Sequence, residues 1–136
     1  MSGYRKLQPS EYQEAGTDLS SPFGTYAPSA LQAAMIRIVR ATPLHRGFFR
    51  NKVAKLIRGN ATTPIDIEAA GAKWRLHGDN NLIELGLMLH PAYNAPDIKF
   101  LTEGAPPGST FVDIGCNIGL YTLACAQTAG TNGRVI

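Results

Sequence analysis

The sequence predicts a mixed α/β protein whose last third opens a doubly wound parallel sheet. Three observations carry this. "TFVDI", residues 110–114, is a short apolar run bounded by turn residues, the pattern of a fully buried parallel strand. "GCNIG" follows it directly and leads into "LYTLACAQTAG", which is apolar at helical spacing and has Gly130 as its cap. "TNG" then turns into "RVI", the opening of a second strand. Strand, glycine-rich loop, helix and strand form the first βαβ crossover of an open α/β sheet. One crossover cannot cover both faces of its own sheet. We therefore expect the sequence to be the N-terminal portion of a longer protein, with further strands after Ile136.

The elements before it follow from periodicity. Residues 1–26 carry Gly, Pro, Ser and Tyr without a period and read as a flexible or loosely docked lead-in. Pro28 and Ser29 precede a helix in "ALQAAMIRIVRA", with Leu31, Ala34, Met35, Ile38 and Val39 as its expected inner face. "TPLHRG" breaks it. "FFRNKVAKLIRG" predicts a second amphipathic helix, with Phe49, Val53, Leu56 and Ile57 inward, its basic residues mostly outward and a stop at Gly59-Asn60. The alternation on either side of Ala70-Gly71 predicts a hairpin with strands near Ile65–Glu68 and Lys73–His77. "NLIELGLMLHP" reads as a helix ended by Pro91, and "APDIKFLTEG" as another with Pro96 and Asp97 at its start. Three segments result: an extension over 1–60 with two basic helices, a hairpin and lead-in helices over 61–104, and the start of a ligand-binding domain over 105–136.

Composition narrows the function. With 136 residues, 44% hydrophobic and 17% charged, the chain suits one globular domain and is too apolar for a disordered one. No run approaches the roughly 18 apolar residues of a membrane span. The polar N-terminus "MSGYRKLQPSEYQEAG" lacks an apolar leader core, so the expected compartment is cytoplasmic. Cys116 and Cys125 form no CxxC pair and read as small buried thiols, and His45, His77 and His90 lack ligand spacing, so no metal is expected. Net charge is +3 but unevenly placed. From Leu19 to Ile65 there is no acid, while Arg37, Arg40, Arg46, Arg50, Lys52, Lys55 and Arg58 all fall there. Such a block is most often a solvated face; its other uses are contact with a membrane surface or a polyanion. Nucleic acid is disfavoured, because residues 31–58 interleave no aromatics apart from Phe48 and Phe49.

The loop after the first strand carries the chemistry. Ligands of an α/β sheet bind beyond the carboxyl ends of its strands, usually at the first βα turn. Gly115 permits a left-handed backbone and leaves no side chain between that backbone and a ligand. Gly119 is expected to let the helix start pack closely on the strand, and the free N–H groups of that helix start suit a carboxylate or phosphate. Asp113 ends the strand as the one charged residue of the loop region, placed to attract a cation. The spacing of Gly115, Asn117 and Gly119 is wrong for a G-x-G-x-x-G dinucleotide site, and no Walker lysine is present. S-adenosyl-L-methionine, with its sulfonium, ammonium and carboxylate, suits an acid beside a helix N-terminus better. Trp74 and Arg75 are candidates for an acceptor groove, with a tryptophan in the hairpin core as the plainer reading; His77 and His90 are weak candidates for a base.

"PPGSTFVDIGCNIGLYTLACA" followed by "GRVI" resembles the FkbM-type methyltransferases, class I enzymes that use S-adenosyl-L-methionine and mostly methylate oxygen on sugars or natural products. Their first motif is usually D-x-G-A-N-x-G, and here Cys116 replaces the alanine. With "HPAYNAPDIKFL" as a lead-in helix, the resemblance covers about residues 80–136. It implies a Rossmann-like methyltransferase sheet in which Asp113, Gly115, Asn117 and Gly119 form the methionine side of the cofactor loop. Cys116 contributes backbone, and Tyr121 sits where the helix start nears the cofactor carboxylate. The acid that holds the ribose hydroxyls, and the catalytic residues, would lie beyond Ile136. The implied acceptor is a sugar, glycan or natural-product hydroxyl. Two other classes stand beside this one: a non-catalytic methyltransferase-like module that binds a membrane or polyanion, and a nucleic-acid methyltransferase.

Overall fold

The computed structural model describes residues 20–59, 63–77, 82–90 and 92–136. Most of the expected lead-in, residues 1–19, lies outside them, as do Asn60 and Pro91, the stops expected for two helices. The described residues form a mixed α/β structure of five α-helices and two small sheets. In chain order these are α1 (Ala30–Arg40), a short 3₁₀ turn (Pro43–His45), α2 (Phe49–Arg58), β1 (Ile65–Ala69), β2 (Ala72–Leu76), α3 (Leu82–Leu89), α4 (Ala95–Gly104), β3 (Thr110–Phe111), α5 (Leu120–Ala129) and β4 (Arg134–Val135). Among the described residues no helix is long and apolar enough to cross a membrane.

α1 begins on a capping box. The Gln32 N–H donates to Ser29 Oγ at 3.2 Å, and the Ser29 N–H donates back to Gln32 Oε1 at 2.9 Å, which satisfies two N–H groups that a helix start leaves open. α1 buries Ile36 and Val39, not the full face expected: Leu31 and Ile38 are exposed. Two polar side chains explain the rotation. Gln32 Nε2 donates to the Ile57 carbonyl at 2.9 Å, and the Arg40 guanidinium donates to the Leu87 and Met88 carbonyls at 2.8 and 3.0 Å. Those carbonyls belong to the last turn of α3, which has no intrahelical donors for them. Burial lowers the pKa of Arg40. α2 shows the same departure: Ala54 and Ile57 are buried, while Phe49 and Leu56 face out.

β1 and β2 pair antiparallel, Asp66 opposite Arg75 and Ile67 opposite Trp74, around a turn in which Ala70 and Gly71 have φ of 49° and 74°. Two left-handed residues make this turn match the right-handed twist of the strands. Trp74 is buried and its Nε1 donates to the Ala69 carbonyl at 2.8 Å, so it belongs to the core and not to an acceptor groove. One cluster joins Ile36 and Val39 of α1, Ala54 and Ile57 of α2, the inner residues of the hairpin, and Leu87, Met88 and Leu89 of α3. The segments on either side of residue 60 therefore share a single core.

Residues 20–26 differ from a loose lead-in. Asp66 is 3% exposed and accepts from Arg75 Nε at 2.8 Å, from the Gly24 N–H at 2.7 Å and from the Tyr26 N–H at 3.2 Å. Arg75 also donates to the Ser21 and Pro22 carbonyls, each at 2.9 Å, and its guanidinium lies over the Tyr26 ring. A buried ion pair clamps this stretch onto the hairpin. The Arg75 hydrogen bond, with the two backbone N–H groups, holds the Asp66 carboxyl below its usual pKa against the opposing effect of burial.

Candidate functional site

β3 and β4 pair parallel, with Thr110 beside Arg134 and Phe111 beside Val135, and α5 forms the connection between them. The regular strand is shorter than "TFVDI", although its ladder runs on: the Ile136 N–H donates to the Phe111 carbonyl at 2.9 Å and the Asp113 N–H to the Ile136 carbonyl at 2.8 Å. The segment is not buried on both faces as expected. Val112 is 57% exposed and Ile114 94%, while Phe111 and Asp113 are half-buried. Successive side chains of a strand alternate between faces. Among the described residues α5 packs on β3, and the face carrying Val112 and Ile114 is left open.

This ladder sets Asp113 at the carboxyl end of the pair, directly before the turn. One carboxylate oxygen accepts from the hydroxyl of Thr122, in the first turn of α5. The bond ties the end of the strand to the start of the helix and puts negative charge where the helix dipole favours it. Sequence reading missed Thr122; its position three residues into a helix that follows an acid was the available signal. The sulfur of Cys125 is fully buried one turn further on, and burial, with the nearby Asp113 carboxylate, pushes that thiol's pKa up. Cys125 is a packing residue, as expected. Cys116 is exposed, contrary to the expectation of a second buried thiol, because the loop carries it away from the helix.

The loop itself is defined by its backbone. Gly115, Asn117 and Gly119 have φ of 82°, 52° and 84°, and the residues between them do not enter the left-handed region. Alternation of this kind turns successive N–H groups toward one side and makes a concavity for an anion. The path is continuous with α5, whose N-cap Gly119 has no side chain to satisfy the first N–H groups of the helix. Gly119 is required by this dihedral and not by close packing: a Cβ there would meet only Thr122 Cβ, at 3.8 Å. A Cβ on Gly115 would meet nothing within 4 Å, so space adjoins the loop. Ile114, Gly115, Cys116 and Asn117 are all exposed and accessible.

Tyr121 lies in the first turn of α5, but its side chain leaves the loop. Its hydroxyl accepts from Asn94 Nδ2 at 2.9 Å and donates to Asp97 Oδ2 at 3.4 Å, which fastens α5 to the start of α4. The Tyr121 hydroxyl is thus engaged by α4 and its N-cap, away from the loop. His90 sits edge-on against His45, ring centroids 4.7 Å apart; burial, then His45 and Arg46, lowers its pKa. His77 lies at the end of β2, where its carbonyl accepts from Arg58. A cavity of about 500 Å³ between α4 and β3 is lined by Phe100, Ser109 and Phe111 among others. It lies at the amino end of β3, and the carboxyl end is where an α/β sheet takes its ligand. In comparisons with known proteins, no family model matches this chain, and neither a curated protein nor a solved structure matches it.

Proposed function

We propose that residues 113–121 bind S-adenosyl-L-methionine, and that the chain belongs to a methyltransferase of the FkbM type acting on a sugar, glycan or natural-product hydroxyl. The observation that carries this reading is the row of left-handed residues at 115, 117 and 119 between the strand-end Asp113 and the uncapped start of α5. In this reading the N–H groups of Gly115 and Cys116 and of the α5 start at Tyr121 hold the carboxylate of the amino-acid end. Asn117 and Gly119 shape the loop through their left-handed backbone, the Gly119 N–H donating to the Cys116 carbonyl at 2.8 Å. The free oxygen of Asp113 meets its ammonium, directly or through water. The cofactor supplies a methyl group on a sulfonium, which an acceptor oxygen takes as it loses its proton. Exposed Cys116 and unpaired Cys125 suit a reducing compartment, so the cytoplasm is the proposed location.

The test is calorimetry of the full-length protein with S-adenosyl-L-methionine and, in parallel, with a nicotinamide dinucleotide. Binding of the first alone is expected. Gly115→Val places a β-branched residue at φ of 82° and should abolish binding while leaving the helical signal intact. Unchanged affinity in that variant would remove the loop from the site. Asp113→Asn should weaken binding by about 1–3 kcal/mol, the range of a charge-assisted hydrogen bond. Thr122→Val separates the two roles of the carboxylate. An equal loss in both variants would mean that Asp113 acts only by anchoring the helix.

A further inference from the structure

Away from the loop, α1 and α2 present an outer surface that the fold does not use. α2 turns Ala54 and Ile57 into the core, and its other side carries Phe49, Lys52 and Leu56, spaced to share one face, with Phe48 just before them. Phe48 is 74% exposed and Leu56 70%. α1 repeats the arrangement, with Leu31 and Ile38, two turns apart, opposite its buried residues. A single exposed leucine means nothing, but Phe48, Phe49 and Leu56 together at one short helix mark a contact surface. The same stretch has no acid between Leu19 and Ile65. Of its cations, Arg40 and Arg58 turn inward to backbone carbonyls of α3 and of the end of β2. Arg37, Arg46, Lys52 and Lys55 remain exposed.

We propose that this face docks on an anionic phospholipid bilayer, with Phe48, Phe49 and Leu56 entering the boundary between headgroups and acyl chains while Lys52 and Lys55 meet lipid phosphates. Mixed aromatic, aliphatic and basic side chains on a short surface helix are what interfacial binding requires. A second copy of the chain is a poor occupant, because it would set the acid-free surface against itself. Nucleic acid is a poor one too. Leu31, Ile38 and Leu56 add nothing to a phosphate contact, and residues 31–58 offer bases no stacking aromatics apart from Phe48 and Phe49. The inference is independent of the cofactor loop.

The experiment is sedimentation of the full-length protein with vesicles of phosphatidylcholine alone or mixed with phosphatidylserine. Expected are pelleting with the mixed vesicles, little with the neutral ones, and release by added salt. Phe48→Ser with Leu56→Ser, and separately Lys52→Glu with Lys55→Glu, should each lower the partition coefficient about tenfold or more, with circular dichroism unchanged because all four side chains are exposed. No pelleting with mixed vesicles overturns the proposal, as does equal binding by both double variants. Retention on duplex DNA or RNA in place of vesicles would assign the surface to nucleic acid. A dimer in ultracentrifugation that the Leu56→Ser variant abolishes, without vesicle binding, would assign it to a second copy.

Discussion

The β1–β2 hairpin and the loop between β3 and α5 both reverse the chain on left-handed residues, and they are built by opposite means. At the hairpin, packing decides. Ile65, Ile67, Trp74 and Leu76 are buried, and the one buried carboxylate finds a guanidinium and two N–H groups. At the loop, the backbone decides: three alternate residues are left-handed, one side chain anchors the turn, and the neighbouring Val112 and Ile114 stay exposed. A region shaped for stability hides its polar groups. The loop leaves Gly115, Cys116 and Asn117 exposed, which is what the proposed ligand contact requires.

The largest effect that would break this contrast lies in the core. Leu89 is fully buried on α3, and Leu89→Ala should destabilise by about 3–5 kcal/mol through lost transfer and a residual cavity. Ile114→Ala removes an isomeric side chain of the same size that is 94% exposed, and should change stability by less than about 0.5 kcal/mol. Chemical denaturation of both variants decides it. A comparable loss at Ile114 would mean that the loop region has packing partners of its own.

The clamp on the hairpin comes next. Asp66→Ala removes the carboxylate that pairs with the Arg75 guanidinium and should destabilise by about 3 kcal/mol. The pH dependence follows from the lowered carboxyl of Asp66. Its contribution is fully present above the unfolded value of about 3.9 and is lost as pH falls through the folded value. Acid titration of stability should therefore steepen below about pH 4 in the natural protein, and Asp66→Asn should flatten it. A variant with the same acid profile as the parent would show that the clamp does not report on folding.

How far the sequence revealed each region depended on what shapes it. The extents of α1, α2, α4 and α5 were legible, because capping residues, prolines and glycines are local signals. Helix faces were less so. "ALQAAMIRIVR" is apolar on more than one side, and the choice of Ile36 over Leu31 and Ile38 is made by Gln32 and Arg40 reaching carbonyls on other elements. The Asp66–Arg75 pair was overlooked although a two-residue turn at Ala70-Gly71 sets those residues opposite each other. Asp113, Gly115, Asn117 and Gly119 were legible as a unit because contiguous residues make the loop. Thr122, Asn94 and Asp97 were not, since their roles arise only where α5 meets the strand end and α4.

The smallest effect sharpens the contrast most directly, because it compares the same dihedral in both turns. Ala70 and Asn117 are both left-handed, at φ of 49° and 52°. An alanine there carries a steric cost of roughly 1–2 kcal/mol, partly offset in comparison with glycine by a less flexible unfolded chain. Ala70→Gly should therefore stabilise the protein by about 0.5–1 kcal/mol. Asparagine tolerates this conformation through local hydrogen bonding, so Asn117→Gly should be close to neutral and Asn117→Ala should cost about 1 kcal/mol. Binding separates backbone from side chain. If the loop works through its N–H groups, Asn117→Gly keeps the alternation and retains affinity for S-adenosyl-L-methionine. Loss of binding in Asn117→Gly at unchanged stability would make the asparagine side chain the contact, and the loop would then recognise its ligand partly as the hairpin recognises Asp66, where the Arg75 side chain joins two backbone N–H groups.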